Sequence, residues 1–189
     1  MSIFDSLKQN NANASASAAP AFEKVQKTEK FSFAALPESV DQMKALSEAS
    51  LDSPFKTAAL AICAFCAYAA APEIGIDMLN FLKGPESLST YDKSFLKDRF
   101  SDVKYVPFSY FEGAVPDNDY TPNEPFTVEF STNPYSFDQD GYVTLYVRSG
   151  GADSPRAIKL RQKGNQWFLW EYSAIVMSIR KSKSENPWA

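Results

Sequence analysis

The run Thr57–Ala71, "TAALAICAFCAYAAA", holds no charge, no glycine and no proline. A helix of that composition is apolar almost all the way round, and it is stable in water only if other elements cover it on every side. Asp52 or Ser53 supplies the N-cap and Pro54 a first-turn residue, which sets the predicted start. At 15 residues the run falls short of the ~20 needed to cross a bilayer. It therefore predicts a central buried helix rather than a membrane span, and the rest of the chain must provide its cover.

Cover of two kinds is legible. "LPESVDQMKALSEA" sets Val40, Met43 and Leu46 on one face of a short helix of about 10 residues. "PEIGIDMLNFLKGP" gives Ile74, Met78, Phe81 and Leu82 one stripe and stops at Gly84 and Pro85. "STYDKSFLKDRF" offers Ser89 as cap and Tyr91, Phe95 and Leu96 as a buried side. After Lys104 the texture changes. Five prolines between residues 105 and 135 exclude long helices. From Phe126 apolar and polar residues alternate: Phe126, Val128 and Phe130; then Val143, Leu145 and Val147; then Ile158 and Leu160 opposite Lys159 and Arg161. "KGN" at 163–165 turns the chain into "QWFLWEY". The predicted class is α+β, an N-terminal layer of about four helices packed on a C-terminal antiparallel meander of four to five strands. Residues 31–189 form one domain on this reading. Residues 1–30 form a flexible tail, with "NNANASASAA" as a tether and Ile3, Phe4 and Leu7 as an apolar turn at its tip.

Several chemistries are excluded by residue type. The chain has no histidine, which removes the usual neutral-pH base, Ser-His and Cys-His nucleophile pairs, and the commonest metal ligand. Cys63 and Cys66 have dithiol spacing but lie well inside the apolar helix, away from an N-terminus that would activate a thiol. They read as core thiols, and two cysteines cannot complete a zinc site. "DQDG" at 138–141 lacks the downstream bidentate glutamate of a calcium loop. No metal and no cofactor is expected. The net charge of −4 argues against nucleic acid. "MSIFDSLKQN" lacks the features of a secretory signal, so the expected location is the cytoplasm.

Charge reverses along the strands. Residues 105–147 carry seven acidic side chains and no basic one, whereas 148–185 carry eight basic and three acidic. Opposite charges on neighbouring strands would satisfy each other across a sheet; left unsatisfied, they would make a bipolar face for a charged partner. The loop "SGGADSPR" could turn backbone N–H groups and Ser154 and Arg156 toward an anion. A strand follows it where anion loops lead into a helix, and Asp153 repels an anion, so a structural hairpin loop is expected. In "QWFLWEY", Trp167, Leu169 and Glu171 share one face, and Phe168, Trp170 and Tyr172 the other. One face must meet the helices; the other gains a second cover or exposes aromatics. Trp188, in the closing "NPWA", either folds back on that open face or meets a partner.

Taken together, "FEGAVPDNDYTPNEPF", "NPYSF", "SGGADSPR", "WFLWEY" and "NPWA" resemble a bacterial family described as a domain of unknown function. "PFKTAAL" and "MLNFLKGP" extend the likeness to roughly residues 36–189. The resemblance implies one bacterial cytoplasmic domain and transfers no catalytic residue. The chain departs from the pattern at Lys181, where proline is expected, and at Asn186, where an acid is expected.

Two functional classes follow. The first is a non-catalytic module binding a protein partner through an aromatic and basic sheet face. Its contact residues would be Ser154, Arg156, Arg161, Trp167 and Trp170, with Tyr110, Phe111 and Glu112 from the proline-rich loop. The second is a small ligand carrier or hydrolytic enzyme with a pocket between helices and sheet, by analogy with cystatin-like and nuclear-transport-factor-like folds. Its chemistry would fall to Glu112, Tyr110 and Arg156. An accessory role, tethered through Ile3, Phe4 and Leu7, is a third reading.

Overall fold

In a computed structural model describing residues 26–188, the chain runs β1 (Thr28–Phe33), α1 (Val40–Lys44), α2 (Pro54–Ala70), α3 (Pro72–Lys83) and α4 (Thr90–Arg99). It continues through β2 (Phe126–Ser131), β3 (Tyr142–Val147), β4 (Arg156–Lys163) and β5 (Gln166–Glu171). The architecture is α+β as expected. The tether and the Ile3, Phe4 and Leu7 turn lie outside the described residues.

Helix α2 is the axis. Thirteen of its 17 residues are buried, and it touches α3 and every strand of the sheet. The Ser53 hydroxyl caps it by accepting from the Phe55 N–H, and Pro54 occupies the first turn. Pro72 breaks the helical path: Ala71 is extended ahead of it, and α3 folds back along α2. That return is close. A Cβ on Gly75 would lie 2.3 Å from the Tyr68 Cα, so only glycine permits the approach. The predicted first helix is shorter than expected. It ends at Lys44, and a 3-10 turn over Ser47–Ser50 follows.

The five strands are antiparallel in the order β1-β2-β3-β4-β5. Four follow the helices, as the alternation predicts. The fifth, β1, precedes them and pairs with β2 from Thr28↔Ser131 to Phe33↔Phe126. The boundary drawn at residue 31 therefore falls inside a strand, and residues 28–30 belong to the sheet rather than to a tail. Phe33, Val128, Phe130, Val143, Leu145, Val147, Ile158, Leu160 and Leu169 face the helices and join one contiguous core with α2. In α4, Leu96 is buried but Tyr91 is 77% exposed, contrary to its predicted burial.

Beyond β5 the chain crosses the molecule again. Tyr172, Ile175 and Val176 are buried in the core. Arg180 then donates its backbone N–H to the Gly151 carbonyl and accepts from the Tyr120 hydroxyl. The Ser184 N–H reaches the Asp119 carboxylate at 2.8 Å. Trp188 does not fold back onto the sheet and stands 92% exposed.

Candidate functional site

The outer face of the sheet, away from the helices, is where strand alternation leaves side chains without cover. On β3 these are Tyr142, Thr144 and Tyr146; on β4, Lys159, Arg161 and Lys163. Register then brings particular residues together. Tyr142 stands opposite Arg161, and Arg161 opposite Phe168, with an irregularity in the β4–β5 pairing at Lys159/Leu160. The Arg161 guanidinium lies over the Trp170 ring at 4.6 Å and over Tyr142 at 5.6 Å. Tyr142 and Trp170 meet edge to face with centroids 5.7 Å apart. Lys159 lies 5.0 Å over Tyr142 and donates to Gln139 at 2.6 Å. Each cation–π contact at a partly exposed site is worth about 0.5–1 kcal/mol, so the two together bias Arg161 toward one orientation. Trp170 itself is 40% exposed. Beside it, a groove of about 390 Å³ opens between Arg161, Lys163, Phe168 and Trp170 of the hairpin, Lys83 at the end of α3 and Glu86 just beyond it.

The expected charge reversal is present, but the halves do not neutralise each other. Glu112 and Glu129 are paired by Lys30 of β1, at 2.8 and 3.4 Å. Those carboxylates hold the Lys30 ammonium above its usual value, Glu112 first and then Glu129. Asp153 is paired by Arg180 at 2.8 Å. Among the described residues no carboxylate lies within ion-pair distance of Lys159, Arg161 or Lys163, and the Arg161 side chain donates no hydrogen bond. The β1–β2 side of the outer face is charge-balanced; the β4 side carries unpaired positive charge.

The other sequence-predicted site residues fall elsewhere. Tyr110 and Phe111, expected on the contact surface, are core residues. Tyr110 donates to the Ile175 carbonyl at 2.7 Å, and Phe111 meets Phe126 edge to face. Burial, only partly offset by the Arg156 charge, pushes the Tyr110 hydroxyl up, so it is a neutral donor. Glu112 is at the surface in its ion pair with Lys30. Arg156 reaches the Ser178 carbonyl at 3.1 Å and Met177 Sδ at 3.8 Å, and its Nε is buried without an acceptor. It holds down the C-terminal segment. Glu112, Tyr110 and Arg156 are thus engaged in separate structural contacts, not joined in an acid–base set. Trp167 is directed away from Trp170. Its ring packs against the core, while its N–H and C=O pair with the Leu51 carbonyl and the Thr57 hydroxyl. Ser154 is exposed at the loop tip. Of the eight residues singled out, Arg161 and Trp170 come together. Tyr142 was missed, although strand parity in "YVTLYVR" and the hairpin register were sufficient to place it.

The loop "SGGADSPR" is closed to anions. The Gly150 N–H donates to the Ser109 carbonyl, that of Gly151 to Ser149 Oγ and that of Ala152 to the Ser149 carbonyl. The Ser149 and Ser109 hydroxyls bond each other at 2.7 Å. Cys63 and Cys66 are free buried thiols, and burial pushes both well above the range in which a thiolate forms.

Fold and face together define an α+β protein, helices on one side of a five-stranded antiparallel sheet and a basic-aromatic cluster on the other. The chain belongs to the family described as "Domain of unknown function (DUF6935)", whose model matches residues 35–183. β1 and the closing Asn186–Ala189 fall outside the matched region. No curated protein matches the chain. No solved structure matches it.

Proposed function

We propose that this protein is a non-catalytic binding module that engages a protein partner in the cytoplasm through the outer face of β3–β5. The observation that carries this reading is the Arg161–Trp170–Tyr142 cluster beside two further lysines, with no carboxylate of the described residues in ion-pair contact with them. Aromatic rings with arginine are the residues that dominate protein contacts, because they bring large apolar area with few rotatable bonds. The same cluster disfavours single-stranded nucleic acid, whose bases need open ring faces on which to stack; here the rings carry cations.

The test is affinity purification of the tagged protein beside an Arg161→Ala/Trp170→Ala variant checked for folding by thermal melting. A protein captured by the parent and lost from the folded variant is the expected result. Equal capture by both would remove this face from consideration.

A second reading rests on a different feature. A groove of about 780 Å³ runs between the end of α2 and the start of β2, lined by Leu36, Ala67, Ala70, Ile74, Phe108 and Phe126. Its size and apolar walls suit a small ligand, the role of a carrier. A metabolite screen by thermal shift, with Ala70→Trp as the blocked control, tests it.

A further inference from the structure

We infer that the partner segment recognised by the outer face of β3–β5 is an extended acidic peptide with carboxylates on alternate residues. This rests on the binding-face reading above and specifies its ligand. The argument begins with spacing. Lys159, Arg161 and Lys163 occupy every second position of β4, so their side chains leave the same face at intervals of about 6.6–6.8 Å. An extended peptide laid along β4 presents its own alternate side chains at that same interval. Three cations in a row then meet three carboxylates without either backbone changing its period.

Geometry at the central residue makes the choice of anion. The Arg161 cation lies over both the Trp170 and the Tyr142 ring, and among the described residues its N–H groups donate to no acceptor, which leaves the guanidinium fork for a ligand. That fork matches the two oxygens of a carboxylate, and the ring contacts have already removed part of the side-chain entropy such a contact would otherwise cost. Among the described residues no carboxylate lies within ion-pair distance of these cations; Glu171, opposite Lys159 in the register, and Glu86, across the groove, both stand off. Charge also sets direction. On the β2 side of the sheet Lys30 is already paired with Glu112 and Glu129, so an acidic segment finds its free cations on β4.

The probe is a fluorescein-labelled Glu-Val-Glu-Val-Glu peptide, read by fluorescence polarisation against full-length protein at 50 and 200 mM salt, beside its Gln-Val-Gln-Val-Gln counterpart. The expected result is binding of the glutamate peptide alone, weakened by added salt and by roughly tenfold or more in Arg161→Ala. Lys56→Ala, in the helical layer and paired with Asp52, should bind as the parent does. Trp170→Phe keeps a stacking ring and should retain most of the affinity lost in Trp170→Ala, which separates orientation of Arg161 from loss of fold. Equal binding of the two peptides, or parental affinity in Arg161→Ala, would overturn the inference. So would an Arg161-dependent complex with oligo-dT or a second copy of the chain in the absence of peptide binding. If purification captures a protein through Arg161 and Trp170 while the glutamate peptide does not bind, the face stands and the acidic ligand fails. If neither is seen, both fail.

Discussion

Gly150 and Gly151 are small because of what lies against them. A Cβ on Gly150 would sit 1.9 Å from the Ala114 carbonyl oxygen, and one on Gly151 would sit 2.1 Å from the Tyr120 hydroxyl. Neither needs a left-handed backbone. Gly164 has the opposite case, φ +62 in the β4–β5 turn with nothing within 4 Å of a Cβ. Gly150→Ala must therefore displace backbone and should cost about 3 kcal/mol or more, whereas Gly164→Ala should cost only about 1 kcal/mol, from its dihedral alone. Chemical denaturation of the two variants checks the order; equal losses would show that the Ala114 carbonyl yields easily. The glycine pair was visible in the sequence, but its reason was not. Spacing reports that a residue is small; only the approach of Ala114 and Tyr120, 30 or more positions away along the chain, says why.

At the scale of elements, α4 has the best-specified start. The Asp92 N–H donates to Ser89 Oγ at 3.1 Å, and Asp92 Oδ2 accepts from the Ser89 N–H at 2.9 Å, a reciprocal capping box. Asp92 also accepts from the Tyr172 hydroxyl at 3.2 Å, tying α4 to the end of β5. Burial works against its ionisation, but the Ser89 hydrogen bonds, the Lys83 charge and Tyr172 together hold the carboxyl below its usual value. A lowered folded value contributes stability above the unfolded value near 4, lost as pH falls through the folded one. Asp92→Ala should thus cost about 1–2 kcal/mol at pH 7. In urea titrations that difference should shrink below about pH 3; a constant difference would assign the effect to packing. Where elements carry local signals they were legible. The cap and proline at 53–54, the Gly84-Pro85 stop and the period-2 runs from Phe126 all sit in the expected elements. β1 was not. "TEKFSF" offers only Phe31 and Phe33 as inward residues, and it follows a low-complexity tail. What makes it a strand is β2, a partner about a hundred residues later. The candidate site divides in the same way: parity along β4 and β5 gave Arg161 and Trp170. Tyr110 and Phe111 were misplaced because a proline-rich segment reads as surface, although here it turns 3-10 and packs inward.

The whole molecule has an unusual response to pH written into its composition. It lacks histidine, and burial pushes its two thiols up. Ordinary carboxylates titrate near 4, and tyrosine and lysine near 10. With no histidine and both thiols buried, no residue type left in the chain has an ordinary side-chain pKa between about pH 6 and 8.5, and the melting temperature should be flat across that window. Above it stability should fall. Burial, with the neighbouring Tyr105, pushes the Tyr120 hydroxyl up to about 12, against the pull of Arg180. Tyr110 and Tyr172 are raised chiefly by burial as well. A raised folded value contributes stability below the unfolded value near 10, and that contribution is lost as pH climbs through the folded one. Calorimetry from pH 6 to 11 should show a plateau and then a decline steeper than in Tyr120→Phe. A slope inside the plateau would point to a titrating group in the residues outside the described region.

The sheet also dictates an order of birth. β1 leaves the ribosome first, yet its partner β2 follows only after all four helices. At about 5–20 residues per second, the roughly ninety intervening residues take roughly 5–20 s to synthesise. During that interval the most apolar helix of the chain is complete and none of the C-terminal strands that will cover it has emerged. The nascent protein is then at its most vulnerable, and the ribosome-associated chaperones have several seconds in which to find α2.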